Sequence, residues 1–243
     1  MFGDNAVSPS RNAEEGFLVK ELWYTIQGEG PWAGKPAVFL RLAGCNLRCF
    51  FCDTDFSGGT HYKLQDLVNE ISTICAHNNC HNVVITGGEP LLQELGLLFT
   101  ADELVHLLFQ IETAGTVWPD SMRDEDVEDQ LLDERILIVV SPKTPNLHPK
   151  VIEYAHAFKY IVAEGETSEI DGLPNKSTQL PTKGNSSQIY RASLHDFRNS
   201  IYIQPCDVPN YEQSAANAVH AAHIVMQYGY RLSLQMHKIV GVP

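Results

Sequence analysis

The chain has 243 residues, of which 44% are hydrophobic, and a formal net charge of -13. This length can bury a sizeable core and fits one α/β domain, which typically spans ~200–250 residues. No apolar run approaches the ~20 residues that a membrane-spanning helix requires. The acidic balance is unsuited to binding a phosphate backbone, which depends on Lys and Arg. We therefore expect neither a membrane nor a nucleic acid as a partner.

The first 17 residues are polar and lack the apolar stretch of a secretory signal. We expect residues 1–17 to be a flexible lead-in and residues 18–243 to form one core domain, because no low-complexity linker divides them. The chain contains six cysteines. Without an export signal, clustered cysteines are more often metal ligands or catalytic groups than disulfides. The expected compartment is therefore the reducing cytoplasm.

Short β-type runs alternate with helical patterns along the chain. The predicted strands are 18–24, 37–42, 82–86, 109–112, 136–140, 158–162, 201–203 and 231–234. Helical spacing of apolar residues predicts helices at 64–75, 100–108, 150–156 and 211–228, and Gly229 can close the last in a left-handed cap. The apolar face of that last helix is predicted to be Ala215, Ala218, Val219, Ala222, Val225 and Met226. The alternation predicts βαβ units, a parallel sheet and hence an α/β fold class.

Two regions interrupt this alternation. Residues 117–135 include an acidic run from Asp120 to Glu134, and residues 164–187 are rich in Gly, Pro, Ser, Thr and Asn. Like-charge runs and such compositions are typical of solvated loops. We interpret both regions as surface loop insertions, and the sequence assigns neither a function.

Polar motifs follow the ends of four predicted strands. They are Gly44-Cys45, Gly87-Gly88-Glu89, Ser141-Pro142-Lys143 and Gln204-Pro205. The carboxyl ends of parallel strands meet at one edge of a sheet or barrel, and function collects there. The sequence therefore predicts that these four motifs form one site.

The segment GCNLRCFFCDT places Cys45, Cys49 and Cys52 in a C-x3-C-x2-C spacing. Cysteine thiolates hold iron–sulfur clusters. Three protein ligands on a four-iron cluster leave one iron open to a small molecule. A structural zinc site needs four ligands, and this segment offers no fourth cysteine, so zinc is disfavoured. Ordinary core or surface thiols are expected at Cys75, Cys80 and Cys206.

The cysteine segment resembles the signature of the radical S-adenosylmethionine superfamily. There, the open iron binds S-adenosylmethionine, and an electron from the reduced cluster yields the 5′-deoxyadenosyl radical. The segment 86–90 (TGGEP) follows a predicted strand, and its glycines allow a ligand to approach the backbone closely. After such a cysteine loop, it resembles the superfamily's site for the amino group of the cofactor. The resemblance implies a partial, modified TIM-like (β/α)6 barrel with loop insertions.

A more specific resemblance, to the 7-carboxy-7-deazaguanine synthase family, is carried by residues 21–54, 83–93, 111–116, 139–143, 158–162, 203–205 and 234–243. Its most specific parts are IQGEG before the cysteines, CDT in the cysteine loop and the HKIVGVP ending. The resemblance implies a carbon–nitrogen lyase of queuosine and other 7-deazapurine biosynthesis. Its radical would take a hydrogen from C6 of 6-carboxy-5,6,7,8-tetrahydropterin. The ring would contract with loss of ammonia, and S-adenosylmethionine would be regenerated.

The same resemblance implies ligands for each bound group. Substrate contacts are expected from Ile26, Gln27, Gly28, Glu29, Arg41, Thr86, Gln235, His237 and the terminal carboxylate of Pro243. S-adenosylmethionine contacts are expected from Phe51, Asp53, Gly88, Glu89, Ser141, Lys143, Gln204 and Asp207. Metal ligands are expected to be Cys45, Cys49 and Cys52 for a [4Fe–4S] cluster and Thr54, supported by Asp53, for Mg2+. No catalytic residue is expected beyond the cluster and the cofactor.

The residue types suit these assignments. The planar guanidinium of Arg41 matches a carboxylate, and the oxygen of Thr54 is a hard ligand suited to Mg2+. The resemblance further implies a homodimer and an electron donor such as flavodoxin. Two alternatives stay open at this point. One is an activase of glycyl-radical enzymes, which acts on a protein, and the other is a non-enzymatic iron–sulfur or zinc module.

Overall fold

The structure is a computed structural model that describes residues 16–52, 54–178, 188–197 and 200–243. Most of the expected lead-in, residues 1–15, lies outside the described residues, and so does Asp53. The last residue of that lead-in, Phe17, begins the first strand and is buried. The first strand therefore includes the last residue of the expected lead-in.

The described residues form one nine-stranded sheet. Its strands are β1 (Phe17–Ile26), β2 (Pro36–Leu42), β3 (Thr60–Tyr62), β4 (Asn82–Gly87), β5 (Leu108–Thr113), β6 (Ile136–Val140), β7 (Ala155–Val162), β8 (Ile201–Pro205) and β9 (Arg231–Leu232). Their order is β3-β1-β2-β4-β5-β6-β7-β8-β9. Strands β2, β4, β5, β6, β7, β8 and β9 run parallel, whereas β1 is antiparallel to both of its neighbours. The α/β class is confirmed, and the six longer parallel strands are those of the expected partial barrel.

The helices of the described residues are α1 (Leu64–His77), α2 (Gly96–Phe99), α3 (Glu125–Leu132), α4 (Pro149–Glu153), α5 (Leu194–Phe197), α6 (Tyr211–Tyr228) and α7 (Met236–Val240). Short 3-10 helices lie at Gly30–Trp32, Pro90–Leu92, Asp102–Leu104 and Asp120–Arg123. Helix α6 has the predicted bounds because Asn210 caps its start and Gly229, at φ +75°, ends it in the left-handed conformation. Among the described residues, we find no helix with the length and apolar character to cross a membrane.

The prediction of a helix at 100–108 is wrong. The chain instead forms short helical turns at 96–99 and 102–104, and β5 begins at Leu108. The guanidinium of Arg135 donates to the carbonyls of Phe99, Leu104 and Leu107 at 2.7–3.0 Å. These bonds satisfy main-chain oxygens of an irregular segment, so a regular helix is not needed there. The predicted helix at 150–156 is also too long, because residues from 155 onward belong to β7.

The predicted apolar face of α6 is wrong as well. Val219 and Met226 are 57% and 72% exposed. The buried positions are Asn217, Ala221 and Ile224. Asn217 donates to the carbonyl of Cys206 at 2.8 Å and accepts from the amide of Glu164, so a polar residue anchors the helix. Counting apolar residues could not reveal this anchor.

The two faces of the sheet differ in chemistry. Successive strand residues point to opposite faces. The outer face carries the main apolar core, which includes Leu40, Ile85, Ile111, Ile138, Tyr160 and Ile203. The next residue on several strands lies on the inner face and is polar: Arg41, Thr86, Glu112 and Gln204. A small cluster around Trp32 and Val84 fills the inner face nearer the amino ends of the strands. Polar side chains are therefore concentrated on the inner face toward the carboxyl ends.

The insertion at 117–135 is better integrated than expected. It contains a 3-10 helix and α3, and its apolar residues Met122, Val127 and Leu131 belong to the main core. The acidic residues between these core positions face solvent. One of them, Asp124, caps α3 by accepting from the amide of Asp126. The interpretation as a purely surface loop is therefore wrong for this region. Residues 179–187 of the second insertion lie outside the described residues.

Candidate active site

A cavity of about 590 Å³ opens at the carboxyl ends of the parallel strands. Of the predicted substrate residues, it is lined by Ile26, Gln27, Glu29, Arg41, Thr86, Gln235, His237 and Pro243. Of the predicted S-adenosylmethionine residues, it is lined by Phe51, Gly88, Ser141, Lys143, Gln204 and Asp207. All four predicted metal ligands also line it: Cys45, Cys49, Cys52 and Thr54. The expectation that the strand-end motifs meet in one place is thus fulfilled by a single cavity.

Two described residues of the predicted set do not line this cavity. Gly28 lies behind it, where its carbonyl accepts from the amide of Met236 at 3.4 Å. A Cβ at Gly28 would lie 2.4 Å from Nδ1 of His237, so glycine lets the C-terminal helix α7 approach. Glu89 is the second such residue. The predicted Asp53 lies outside the described residues.

Glu89 is fully buried and its carboxylate is held on three sides. It accepts from the amide of Leu91 at 3.0 Å, from Oγ1 of Thr113 at 2.6 Å and from the amide of Ala114 at 2.8 Å. Burial raises the pKa of this carboxyl above its ordinary value, although these hydrogen bonds oppose the rise. Glu89 therefore joins the loops that follow β4 and β5. Its predicted contact with the cofactor stays a prediction.

The cysteine loop begins directly after β2. The backbone of Gly44 fixes its start by donating to the carbonyl of Phe56 and accepting from the amide of Glu89, both at 2.9 Å. Cys45 is buried, and its Sγ accepts from the amide of Leu47 at 3.4 Å. Burial raises the pKa of the Cys45 thiol to about 12. A bound metal cation would favour the thiolate form of this sulfur.

The three thiols fit an iron–sulfur cluster better than a single metal ion. Among the described residues, no three His, Cys, Asp or Glu side chains converge as the ligands of one ion would. In a four-iron cluster each cysteine binds a different iron, so the three cysteines need only line a common space, as Cys45, Cys49 and Cys52 do here. A Cβ at Gly88 would lie 2.1 Å from the carbonyl oxygen of Gly44 and 2.8 Å from Cβ of Cys45. Glycine at position 88 thus permits the close approach of the segment 86–90 to the cysteine loop.

A buried ion network occupies the other side of the cavity. Lys159, on β7, has a side chain that is 7% exposed and contacts the carboxylates of Glu29 and Glu112, the latter at 2.7 Å. Gln27 and Gln110 donate to the second carboxylate oxygen of Glu112 at 3.3 and 2.6 Å. Burial acts to raise the pKa of Glu29, but the ammonium of Lys159 outweighs it and the pKa is lowered. Burial acts to lower the pKa of Lys159, and the two carboxylates outweigh it, so that pKa is raised.

Lys143 is partly buried and lies near the cysteine loop. It donates to the carbonyl oxygen and the hydroxyl of Ser141, and its Nζ lies 5.8 Å from the ring centre of Phe51. Burial lowers the pKa of Lys143 to about 8. The side chain is therefore held in place by the strand-end turn that contains it.

Arg41 lies at the outer part of the cavity. Its guanidinium donates to Glu21 at 2.8 Å and lies 4.9 Å from the ring centre of Trp23. The ring of Trp23 is itself 5.1 Å from that of Phe39. Stacking and the ion pair fix the plane of the guanidinium, so its remaining N–H groups can face an anionic group.

The C-terminus reaches the cavity from the side of β1. A main-chain oxygen of Pro243 accepts from Oγ1 of Thr25 at 2.7 Å. The preceding helix is fastened by an ion pair of 2.7 Å between Lys238 and Asp207. Pro243 is thus held by a hydrogen bond to β1, and its predicted contact with the substrate stays a prediction.

Sequence reasoning missed several residues of the site. They are Trp23, Thr25, Glu112, Lys159 and Thr178, the last of which lies in the insertion and contacts Cys49. Lys159 had a usable signal, because it is a single charge inside the apolar strand FKYIV. Phe158 and Tyr160 belong to the apolar core on the outer face of the sheet. Because successive strand residues alternate between the faces, Lys159 between them points to the inner face. Thr178 had no such signal.

Parallel strands with a three-cysteine loop at their carboxyl ends define a class of iron–sulfur enzymes, the radical S-adenosylmethionine enzymes. Residues 40–163 match the family model described as the Radical SAM superfamily. The chain is 39% identical over 249 residues to the 7-carboxy-7-deazaguanine synthase of Rhodospirillum rubrum, and the match covers 100% of both chains. The chain therefore belongs to the 7-carboxy-7-deazaguanine synthase family of that superfamily.

Two further similarities agree with this assignment. The chain is 34% identical over 246 residues to the 7-carboxy-7-deazaguanine synthase of Hyperthermus butylicus, with 93% of each chain covered. The crystal structure of QueE from Escherichia coli superposes with a TM-score of 0.59 at 21% identity, covering 90% of this chain and 93% of that one. At this level of identity the superposition supports the fold.

Proposed function

We propose that the chain, through one core domain of residues 18–243, forms 7-carboxy-7-deazaguanine from 6-carboxy-5,6,7,8-tetrahydropterin by a radical ring contraction with loss of ammonia. The observation that carries the proposal is the single cavity that joins the three cysteines, the Ser141–Lys143 turn and the Lys159 ion network. The residues proposed for the cluster, for the cofactor and for a nitrogen-rich ring thereby line one space. Family membership supports the same reaction.

Cys45, Cys49 and Cys52 would hold the cluster, and the backbone at Gly88 would face the cofactor beside it. When bound, the reduced cluster and S-adenosylmethionine supply the one-electron chemistry that generates the 5′-deoxyadenosyl radical. The protein residues bind and orient the cofactor and the substrate, and they shield both from water. Ser141, Lys143 and Gln204 lie at the ends of β6 and β8, on the same side of the sheet as the cysteine loop, and would contact the cofactor.

The ion network would orient the pterin ring through hydrogen bonds to its edge. The carboxylates of Glu29 and Glu112 are acceptors, and a guanidine-like pterin edge presents N–H donors. Lys159 holds both carboxylates in place, because its ammonium contacts each of them. Arg41, at another part of the cavity, would bind the substrate carboxylate in a planar hydrogen-bonded pair. Thr86, between these regions, lines the cavity wall.

The C-terminal segment would complete the substrate site. Gln235 and His237 line the cavity together with Pro243, whose main-chain oxygen is fixed by Thr25. A terminal carboxylate at this position adds a further acceptor for ring N–H groups.

Mg2+ is proposed as a second metal, bound by Thr54. The side chain of Thr54 lines the cavity next to Cys52, and a hydroxyl oxygen is a suitable hard ligand. Mg2+ uses few protein ligands and completes its shell with substrate and water, which fits a site between cluster loop and substrate. The proposed enzyme also needs an electron donor such as flavodoxin and a reducing compartment such as the cytoplasm, and we propose that it acts as a homodimer.

Anaerobic turnover tests the proposal. The protein with a reconstituted cluster is incubated with S-adenosylmethionine, reductant, Mg2+ and 6-carboxytetrahydropterin, and the products are identified by mass spectrometry. Appearance of 7-carboxy-7-deazaguanine is the expected result. Formation of 5′-deoxyadenosine without any deazaguanine would leave the radical chemistry intact and overturn the substrate assignment. Absence of both products with an intact cluster would overturn the enzymatic assignment.

A further inference from the structure

The family resemblance leaves the insertion at 164–187 without a function, and Thr178 within it contacts the cysteine loop. The first part of the insertion is anchored to the core: Leu173 is fully buried, and Asp171 forms an ion pair with Arg191. Helix α6 holds it from the other side, because the hydroxyl of Tyr228 donates to the carbonyl of Glu169 at 2.7 Å. The chain then runs to Thr178, which is only 6% exposed.

Thr178 makes two hydrogen bonds to the cysteine loop. Its carbonyl accepts from the amide of Phe50 at 3.2 Å. Its hydroxyl Oγ1 lies 3.4 Å from Sγ of Cys49, within hydrogen-bonding reach of sulfur. The two residues are 129 positions apart in sequence, so the contact depends on the folded insertion.

A second acceptor competes for the same hydroxyl proton. The carbonyl oxygen of Lys143 also lies 3.4 Å from Oγ1 of Thr178. That oxygen already accepts from Oγ of Ser177 at 2.7 Å and from the amide of Thr178 at 3.1 Å. A carbonyl oxygen has two lone pairs, and both are engaged by these shorter contacts. The hydroxyl of Thr178 is therefore directed to the sulfur, which is the stronger acceptor once it is a thiolate ligand.

We infer that Thr178 is a positioning residue of the insertion, and that it raises the reduction potential of the cluster by donating a hydrogen bond to the Cys49 ligand. This inference rests on the proposed cluster site. Hydrogen bonds to cluster sulfurs are among the factors that set the potential of an iron–sulfur centre. Reduction adds one negative charge to the cluster, so a donor at the ligand sulfur stabilises the reduced form more than the oxidised form. The insertion thereby makes the cluster easier for its electron donor to reduce.

The test is an EPR-monitored redox titration of the reconstituted protein, with dithionite as reductant and S-adenosylmethionine left out. Thr178→Val keeps the shape and removes the hydroxyl. At a fixed applied potential we expect about a tenfold lower ratio of reduced to oxidised cluster, which corresponds to about 59 mV for one electron. Thr178→Ser retains the hydroxyl and is expected to match the wild type. If Thr178→Val fails to bind iron, Thr178→Ala is used instead, and the same decrease in the ratio of reduced to oxidised cluster is expected.

Thr167→Val is the matched control. It makes the same substitution at another threonine of the insertion, whose Oγ1 contacts Nε2 of His220 at 2.9 Å. Its midpoint is expected to equal that of the wild type. An unchanged midpoint in the Thr178 variants that lack the hydroxyl, at equal iron content, overturns the inference, and so does an equal shift in Thr167→Val. A wild-type protein that binds no cluster would instead overturn the proposed function, so the two failures are distinguishable.

Discussion

Lys159 is predicted to be the side chain whose removal most strongly destabilises the unliganded protein. In Lys159→Met, Glu29 and Glu112 stay buried and lose their shared cation. Removing one partner of a buried ion pair costs ~3–5 kcal/mol, because the remaining charge is left without compensation. With an m-value of about 3 kcal/mol per molar urea, the midpoint of unfolding should fall by about 1–1.7 M at pH 7.5.

The loss of stability in Lys159→Met should change with pH in one predicted direction. In the wild type the pKa of Glu29 is lowered from 4.5, so its stabilising contribution is fully present above pH 4.5 and is lost only as the pH falls through the lower folded value. The raised pKa of Lys159 likewise makes its contribution fully present below 10.5. Between pH 5 and 7.5 both wild-type contributions are therefore constant.

In Lys159→Met, burial is left as the dominant influence on Glu29 and raises its folded pKa above 4.5. The folded state of the variant then binds more protons than the unfolded state, so the stability of the variant falls as the pH rises above 4.5. Urea unfolding of the unliganded protein, followed by circular dichroism at pH 5 and 7.5, measures this. The difference between variant and wild type should be larger at pH 7.5.

Lys150→Met is the matched control. Lys150 also contacts two carboxylates, those of Glu128 and Glu153 at 3.1 and 3.4 Å, but at the protein surface. Exposed ion pairs contribute little to stability, so its midpoint should change far less. The reasoning is refuted if Lys159→Met loses no more stability than Lys150→Met, or if its loss grows on acidification from pH 7.5 to 5.

Two further predictions concern ligands. Extending the chain beyond Pro243 by a short tag should raise the KM for the pterin at least tenfold while iron content is unchanged, because the terminal carboxylate next to Thr25 is lost; a tagged enzyme with unaltered KM would exclude that carboxylate from the substrate site. Thr54→Ala should abolish the dependence of turnover on added Mg2+, measured as initial rate against Mg2+ concentration, and an unchanged dependence would remove Thr54 as a ligand.

The sequence predicted the location of the site better than its internal contacts. Strand-end motifs such as Gly44-Cys45 and Ser141-Pro142-Lys143 indicated one cavity, because carboxyl ends of parallel strands necessarily share an edge of the sheet. Strand 158–162 was also predicted, and alternation along it would have placed Lys159 on the inner face. The pairing of Lys159 with Glu29 and Glu112 depends on sheet order, which a single sequence does not specify.

Other features were beyond the reach of local patterns. The direction of the Glu89 carboxylate is set by the hydroxyl of Thr113 and the amide of Ala114 at the end of β5, so its burial could not be predicted from GGEP. The contact of Thr178 with Cys49 requires the folding of an insertion with no periodic pattern. Likewise, the acidic composition of the run at 120–134 suggested a solvated loop, although Met122, Val127 and Leu131 are core residues and the last two have the i, i+4 spacing of a helix.

The central claim is that one cavity brings the cofactor, the cluster and C6 of the pterin together. Turnover of 6-carboxytetrahydropterin deuterated at C6 tests it most directly, with the recovered S-adenosylmethionine analysed by mass spectrometry. Our account predicts that deuterium accumulates in the adenosyl part of S-adenosylmethionine as turnover proceeds, since the cofactor takes the hydrogen and is regenerated. Formation of product without deuterium in the recovered cofactor would contradict hydrogen abstraction from C6 by a radical held in this cavity.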